Sequence, residues 1–180
     1  MQLGRGLSLL VGGARSGKSD LAVRLGEAWP GHVTFVATAT AGDDDMTDRI
    51  TRHQAERPAG WTLVEAPMFD SKAAASLAAS DLVIVDCMTL LVANLMFAEI
   101  DEREVEQHVG ELGHALAERS GPTIVISNEV GLGIHPETKL GRTYRDTLGR
   151  ANRALATVAE TSLFVVAGKV LPLQRLDTAW

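Results

Sequence analysis

The segment Gly12-Gly13-Ala14-Arg15-Ser16-Gly17-Lys18-Ser19 restricts what this chain can fold into more than any other part of it. It fits the spacing G-x-x-x-x-G-K-[ST], with the apolar run Leu7 to Val11 before it and a helical pattern from Asp20 to Ala28 after it. Strand, glycine turn and helix in that order make a phosphate cradle. The glycines let the backbone curl so that successive N–H groups and the helix N-terminus face phosphate oxygens. In that setting Lys18 reaches the β- and γ-phosphates and the Ser19 hydroxyl is a ligand for Mg²⁺.

The remainder of the chain repeats the same alternation. Short apolar runs at Val33 to Ala37, Thr62 to Glu65, Leu82 to Asp86, Thr123 to Ser127 and Leu163 to Ala167 join Leu7 to Val11 as predicted strands, most of them buried. Leu140, Tyr144, Leu148, Ala151, Leu155 and Val158 step by three or four residues and predict one apolar stripe on a long helix. A second helix is predicted over Asp101 to Arg119, with Val105, Val109, Leu112 and Leu116 on one side. Strands alternating with helices predict an α/β fold, a mainly parallel sheet with helices on both faces. No repeat, low-complexity stretch or Pro/Gly/Ser-rich linker interrupts residues 1–180, which are read as one catalytic domain. Thr40 to Asp45 and Gly131 to Pro136 are the expected mobile loops, and α/β sheets hold ligands on loops at strand ends.

Composition narrows the function classes. The chain has 180 residues with 17 Lys+Arg against 23 Asp+Glu, a formal charge of −6, which argues against a general nucleic-acid binder. Cys87 is the single cysteine, so neither a disulfide framework nor a Cys-rich metal site is expected. Leu7 to Val11 is too short for a signal-peptide core, and Leu82 to Phe97 is interrupted by Asp86, Thr89 and Asn94. The expectation is a cytoplasmic protein without a membrane span.

Two more positions carry chemistry. Leu82-Val83-Ile84-Val85-Asp86 reads as a buried strand delivering a carboxylate to the edge of the sheet, where Asp86 is the candidate for a second magnesium contact. Met46, Ile50, His53 and Arg57 share one face if they are helical, with Arg49, Arg52 and Arg57 near His53. From the residues alone, His53 is either a packed or solvated histidine or a catalytic group. His32, His108 and His114 have no such setting, and His135 lies in the Gly131 to Pro136 loop, where it could touch substrate.

Four stretches in order carry a resemblance. They are Gly12 to Ser19; Asp45-Met46-Thr47-Asp48-Arg49-Ile50 through His53 to Arg57-Pro58; Asp86-Cys87-Met88-Thr89-Leu90 through Asn94-Leu95; and Ser127-Asn128-Glu129-Val130-Gly131-Leu132-Gly133-Ile134 through Pro136-Glu137 to Arg145-Asp146, Gly149-Arg150 and Asn152. From Leu7 to about Leu173 the chain resembles the bifunctional adenosylcobinamide kinase / adenosylcobinamide-phosphate guanylyltransferase family of cobalamin biosynthesis. The resemblance implies a RecA-like P-loop fold, a homotrimer, and a histidine that becomes covalently guanylylated, by position His53. It implies nucleotide contacts at Gly12, Gly13, Ala14, Arg15, Ser16, Gly17, Lys18 and Ser19, at Ala37, Thr38 and Ala39, at Gln54, Ala55, Glu56 and Arg57, and at Glu65 and Asp86. The chain departs from the family pattern at Asp45, where Glu is frequent, and at Leu63, where Thr is frequent; the second removes a possible hydroxyl contact.

The chemistry implied is consistent with these residue types. A neutral imidazole nitrogen can attack phosphorus, so His53 would take GMP from GTP and pass it to adenosylcobinamide phosphate, giving adenosylcobinamide-GDP. In the kinase step ATP or GTP in the same cradle would phosphorylate the hydroxyl of the aminopropanol arm. Catalytic roles fall to His53, Lys18 and Asp86, metal contacts to Ser19 and Asp86, and Asp86 and Glu129 are the carboxylates open as base for that hydroxyl. The rival is another P-loop small-molecule kinase without a covalent intermediate. A switch GTPase would need D-x-x-G after the Asp86 strand and N-K-x-D for guanine, and neither is present. A regulatory nucleotide-binding module would have no need of Lys18, Ser19 and Asp86 together.

Overall fold

The computed structural model describes residues 4–40 and 58–174. In the described residues β1 (Leu7–Gly12) is followed by α1 (Lys18–Glu27), β2 (Val33–Ala37), β3 (Thr62–Glu65) and α2 (Ser71–Ser76). Then come β4 (Leu82–Asp86), α3 (Met88–Phe97), α4 (Glu102–Ala117), β5 (Thr123–Asn128), α5 (Lys139–Val158), β6 (Thr161–Val166) and β7 (Lys169–Leu173). The strands form one sheet in the order β3-β2-β4-β5-β1-β6-β7, parallel throughout except for β7, which runs antiparallel to β6.

Successive strand residues point to opposite faces, and both faces are apolar in the central strands. Leu82, Ile84, Ile124, Ile126, Leu10 and Leu163 pack on the side of α1, with Phe35 and Trp61 stacked 6.4 Å apart at its margin. Val83, Val85, Val125, Leu7 and Leu9 face the other way, into Leu91 and Leu95 of α3, Val109 and Leu112 of α4, and Leu148 and Leu155 of α5. Helices therefore cover both faces, as the alternation predicts.

All six predicted strands are present, and differences lie at the margins. β3 is mostly exposed, with Leu63 43% accessible, because it ends the described strand order and has β2 alone as neighbour. β7 is an addition to the predicted set: each of its residues is exposed, so no burial rhythm marks it. Leu140 leaves the predicted stripe at 58% exposure because it lies in the first turn of α5, beyond the core. The predicted helix Asp101 to Arg119 begins one residue later, with the Asp101 carboxylate accepting from Arg103 N–H as its cap. Among the described residues, no helix is long and apolar enough to cross a membrane.

Candidate functional site

A parallel sheet gathers the carboxyl ends of its strands at one edge, and register makes that edge specific here. Glu65 pairs with Ala37, Ala37 with Asp86, and Gly12 with Asn128, so residues far apart in sequence stand side by side where the strands stop. Four of the sequence-predicted nucleotide contacts, Gly12, Ala37, Glu65 and Asp86, thus share one edge. Gln54, Ala55, Glu56 and Arg57, and His53 with them, lie outside the described residues.

The cradle spans Gly12 to Ser19 between β1 and α1. Gly13, Ala14 and Arg15 form its exposed crown, while Ser16 and Lys18 are buried. Gly17, at φ 99°, is the N-cap of α1 in a left-handed conformation that a side chain would strain. Lys18 Nζ donates to the carbonyls of Gly12 at 3.0 Å and Gly13 at 2.7 Å, and to Ser16 Oγ at 3.3 Å, so the ammonium spans the loop from inside. Ser19 Oγ donates to Asp86 Oδ2 at 3.1 Å. That contact joins α1 to β4 across 67 residues of sequence and sets a hydroxyl beside a carboxylate.

Those two oxygens suit a hard cation, which takes oxygen ligands. Among the described residues no group of three His, Cys, Asp or Glu side chains converges into a protein-only cage. One hydroxyl and one carboxylate match the sparse protein share of a magnesium site completed by phosphate oxygens and water.

Several motif residues turn out to brace the edge. The Thr38 side chain, an expected nucleotide contact, is fully buried and engaged within the protein: Oγ1 donates to Cys87 O at 2.7 Å and accepts from Cys87 N at 2.9 Å. Asn94 Nδ2 donates to Thr38 O at 2.8 Å and Pro67 O at 2.9 Å. Thr89 Oγ1 accepts from Asn128 N at 2.8 Å, and Tyr144 O–H donates to Thr89 O at 3.1 Å. Burial, and to a lesser extent nearby Cys87, pushes the Tyr144 phenol up to about 12, so it stays a donor well above neutral pH. Asn152 accepts from Ser127 Oγ at 2.6 Å and donates to Asn128 O at 3.0 Å. The side chains of α3 and α5 thus fasten the strand ends that carry Asp86 and Glu129.

Sequence reasoning missed the part of the β6–β7 hairpin. Its two-residue turn, Ala167 at φ 51° and Gly168 at φ 71°, lies against the cradle, and Gly168 N donates to Ser16 O at 3.0 Å. A Cβ on Gly12 would collide with Val165 O, and one on Gly17 would touch Gly168 Cα at 3.4 Å. Gly12 and Gly17 therefore back onto this hairpin. An apolar run ending in Ala-Gly before Lys-Val-Leu-Pro-Leu was the available signal. Gly168→Val should raise the nucleotide KM up to about tenfold, since a β-branched residue in this conformation costs on the order of 1–2 kcal/mol and the turn would release Ser16. Gly168→Asn, which tolerates positive φ, should stay near the unsubstituted value. Equal loss in the two variants would show that the turn does not act through the cradle.

Three comparisons bear on this geometry. The family model described as cobinamide kinase / cobinamide phosphate guanyltransferase matches residues 8–173. The chain is 41% identical over 167 residues to the bifunctional adenosylcobalamin biosynthesis protein CobP of Pseudomonas aeruginosa, covering 92% of this chain and 96% of that one. It is 38% identical over 173 residues to the bifunctional adenosylcobalamin biosynthesis protein CobU of Salmonella typhimurium, covering 89% and 95%. Among solved structures, a prototypical ATPase from the type III secretion system of pathogenic bacteria superposes with a TM-score of 0.56 at 11% identity, covering 88% of this chain and 50% of that one. With the strand order above, this likeness makes the fold a RecA-like P-loop fold.

Proposed function

The chain belongs to the cobinamide kinase / cobinamide phosphate guanyltransferase family, and from that premise we propose that it phosphorylates adenosylcobinamide and then guanylylates the product. The observation that carries the reading is the joining of cradle and carboxylate, Ser19 Oγ to Asp86 Oδ2 at 3.1 Å, at the sheet edge of a member of this family. The whole chain acts as one catalytic domain, working as a homotrimer in the cytoplasm.

In the kinase step the backbone N–H groups of Gly13 to Ser19 and the N-terminus of α1 hold the triphosphate of ATP or GTP. Lys18 offsets charge on the β- and γ-phosphates. The substrate hydroxyl attacks the γ-phosphorus, the bond to the β-phosphate oxygen breaks, and the hydroxyl proton passes to a carboxylate. Glu129 suits that role: it follows the last residue of β5, and its N–H donates to Gly12 O at 3.0 Å. Ser19 and Asp86 would hold Mg²⁺, which when bound draws negative charge off the phosphates.

In the guanylyl step a neutral nitrogen of His53 attacks the α-phosphorus of GTP, and pyrophosphate leaves as the phosphorus–nitrogen bond forms. A phosphate oxygen of adenosylcobinamide phosphate then displaces the imidazole, giving adenosylcobinamide-GDP. The deciding experiment is incubation with labelled GTP and Mg²⁺ followed by denaturation. Retained guanylate supports the reading; label lost on denaturation, beside measurable phosphorylation of cobinamide, would leave a kinase alone.

Asp86→Asn removes charge while keeping shape. Mg²⁺-dependent turnover should fall by about 10²-fold or more, a loss of the size seen when one electrostatic partner of a transition state is removed. Nucleotide binding measured without metal should change little. An equal fall in both quantities would make Asp86 a structural residue.

A further inference from the structure

The segment between β5 and α5 leaves the sheet beside the phosphate cradle, since Asn128 is the register partner of Gly12 and Glu129 N donates to Gly12 O at 3.0 Å. It is tied down on either side of residues 132–134. Gly131 N donates to Glu129 Oε1 at 2.7 Å, and Arg142 Nη1 donates to the carbonyls of Pro136 at 3.1 Å and Glu137 at 2.7 Å. His135 Nδ1 lies 2.9 Å from Arg145 Nη1, and Thr138 caps α5 by accepting from Gly141 N at 3.1 Å. Yet Leu132 is 79% exposed and Ile134 96%. Single exposed apolar residues are ordinary on any protein. Two of them, alternating on a tethered loop rooted at the cradle, add nothing to either core cluster, so the fold gives no account of them.

We propose that Leu132 and Ile134 are the apolar platform on which the acceptor docks, holding one face of the corrin macrocycle of cobinamide beside the phosphate to be transferred. This rests on the function proposed above. The acceptor hydroxyl has to reach a γ-phosphate held at Gly13 to Ser19, so its bulk lies on a segment that borders that cradle, and this loop borders it through Gly12. The chemistry also matches. A corrin offers broad methyl-covered faces and an amide rim; the loop offers two branched aliphatic side chains flanked by His135 and Glu137, which can exchange hydrogen bonds with amides. Apolar side chains hold the face, and polar neighbours orient the rim.

The test is the double variant Leu132→Ser/Ile134→Ser in the full chain, with steady-state kinetics varied separately in cobinamide and in nucleotide. The cobinamide KM should rise about tenfold or more, as loss of apolar contact in a binding site does, while the nucleotide KM and the melting temperature hold. Leu132→Met/Ile134→Val should restore the cobinamide KM. An unchanged cobinamide KM overturns the proposal. A parallel rise in both KM values does so too, because the loop would then be acting through the cradle. A changed oligomeric mass by light scattering with unchanged cobinamide KM would assign the pair to contact with a second copy instead. Absence of cobinamide phosphorylation by the unsubstituted protein overturns the functional reading itself, whereas normal turnover with an unmoved KM in the variant overturns docking alone.

Discussion

Lys18→Ala should abolish both transfers, lowering the initial rates of cobinamide phosphorylation and of GMP incorporation by at least about 10²–10³-fold, the usual loss for a buried group that stabilises transition-state charge. Lys18 is 5% exposed, and its ammonium reaches Gly12 O, Gly13 O and Ser16 Oγ. When a triphosphate enters, that charge is already inside the loop and little reorganisation is needed. The variant loses the clamp as well as the charge, so it should melt somewhat lower; leaving buried acceptors unpartnered costs about 1–3 kcal/mol. The fold survives, because the sheet strands and both core clusters do not depend on Lys18. Some nucleotide binding persists through the backbone N–H groups and the exposed Arg15 crown. Circular dichroism of the folded variant, beside the two rates, separates lost chemistry from lost structure. Undiminished GMP incorporation would remove the cradle from the guanylyl step.

The cradle and Asp86 were legible because their signals are local. Eight consecutive residues spell the loop, and four apolar residues followed by an acid spell the end of β4. The central strands were legible for a related reason: buried on both faces, they read as short continuous apolar runs. α3 was not, because Met88–Phe97 is apolar nearly all round and continues the run of β4, so no period separates strand from helix. β7 failed for the opposite reason, being exposed along its length, with Pro172 tolerable because the strand lies at an edge. In the site, the hidden parts are long-range. The Thr38 to Cys87 pairing spans 49 residues, and no spacing rule announces that a threonine after β2 will bind a peptide group after β4. Gly168 against Ser16 is the same case, a contact made by sheet order rather than by sequence neighbourhood. His53 lies outside the described residues, and its role rests on sequence and family alone.

His53→Ala should separate the two activities. Guanylyl transfer through an imidazole cannot proceed without that ring, so both the GMP adduct and adenosylcobinamide-GDP should disappear, by orders of magnitude rather than by a factor of two. The kinase step takes its nucleophile from the substrate hydroxyl and should survive in part. A phosphorus–nitrogen bond to imidazole is labile in acid and comparatively stable in base, unlike an ester on Ser or Thr. A peptide spanning Arg49 to Arg57 should therefore carry GMP after mild alkaline work-up and lose it in acid. Three of the other histidines are poor competitors on structural grounds. His32 precedes β2 and His114 sits in the last turn of α4, which leads into β5, so both lie toward the sheet edge opposite the cradle. His108 is held by Phe69 O at 2.8 Å. His135 lies on the loop rooted at Gly12, beside the cradle. GMP found on His135, with His53→Ala still labelled, would move the nucleophile to that loop and overturn the assignment while leaving the family membership intact.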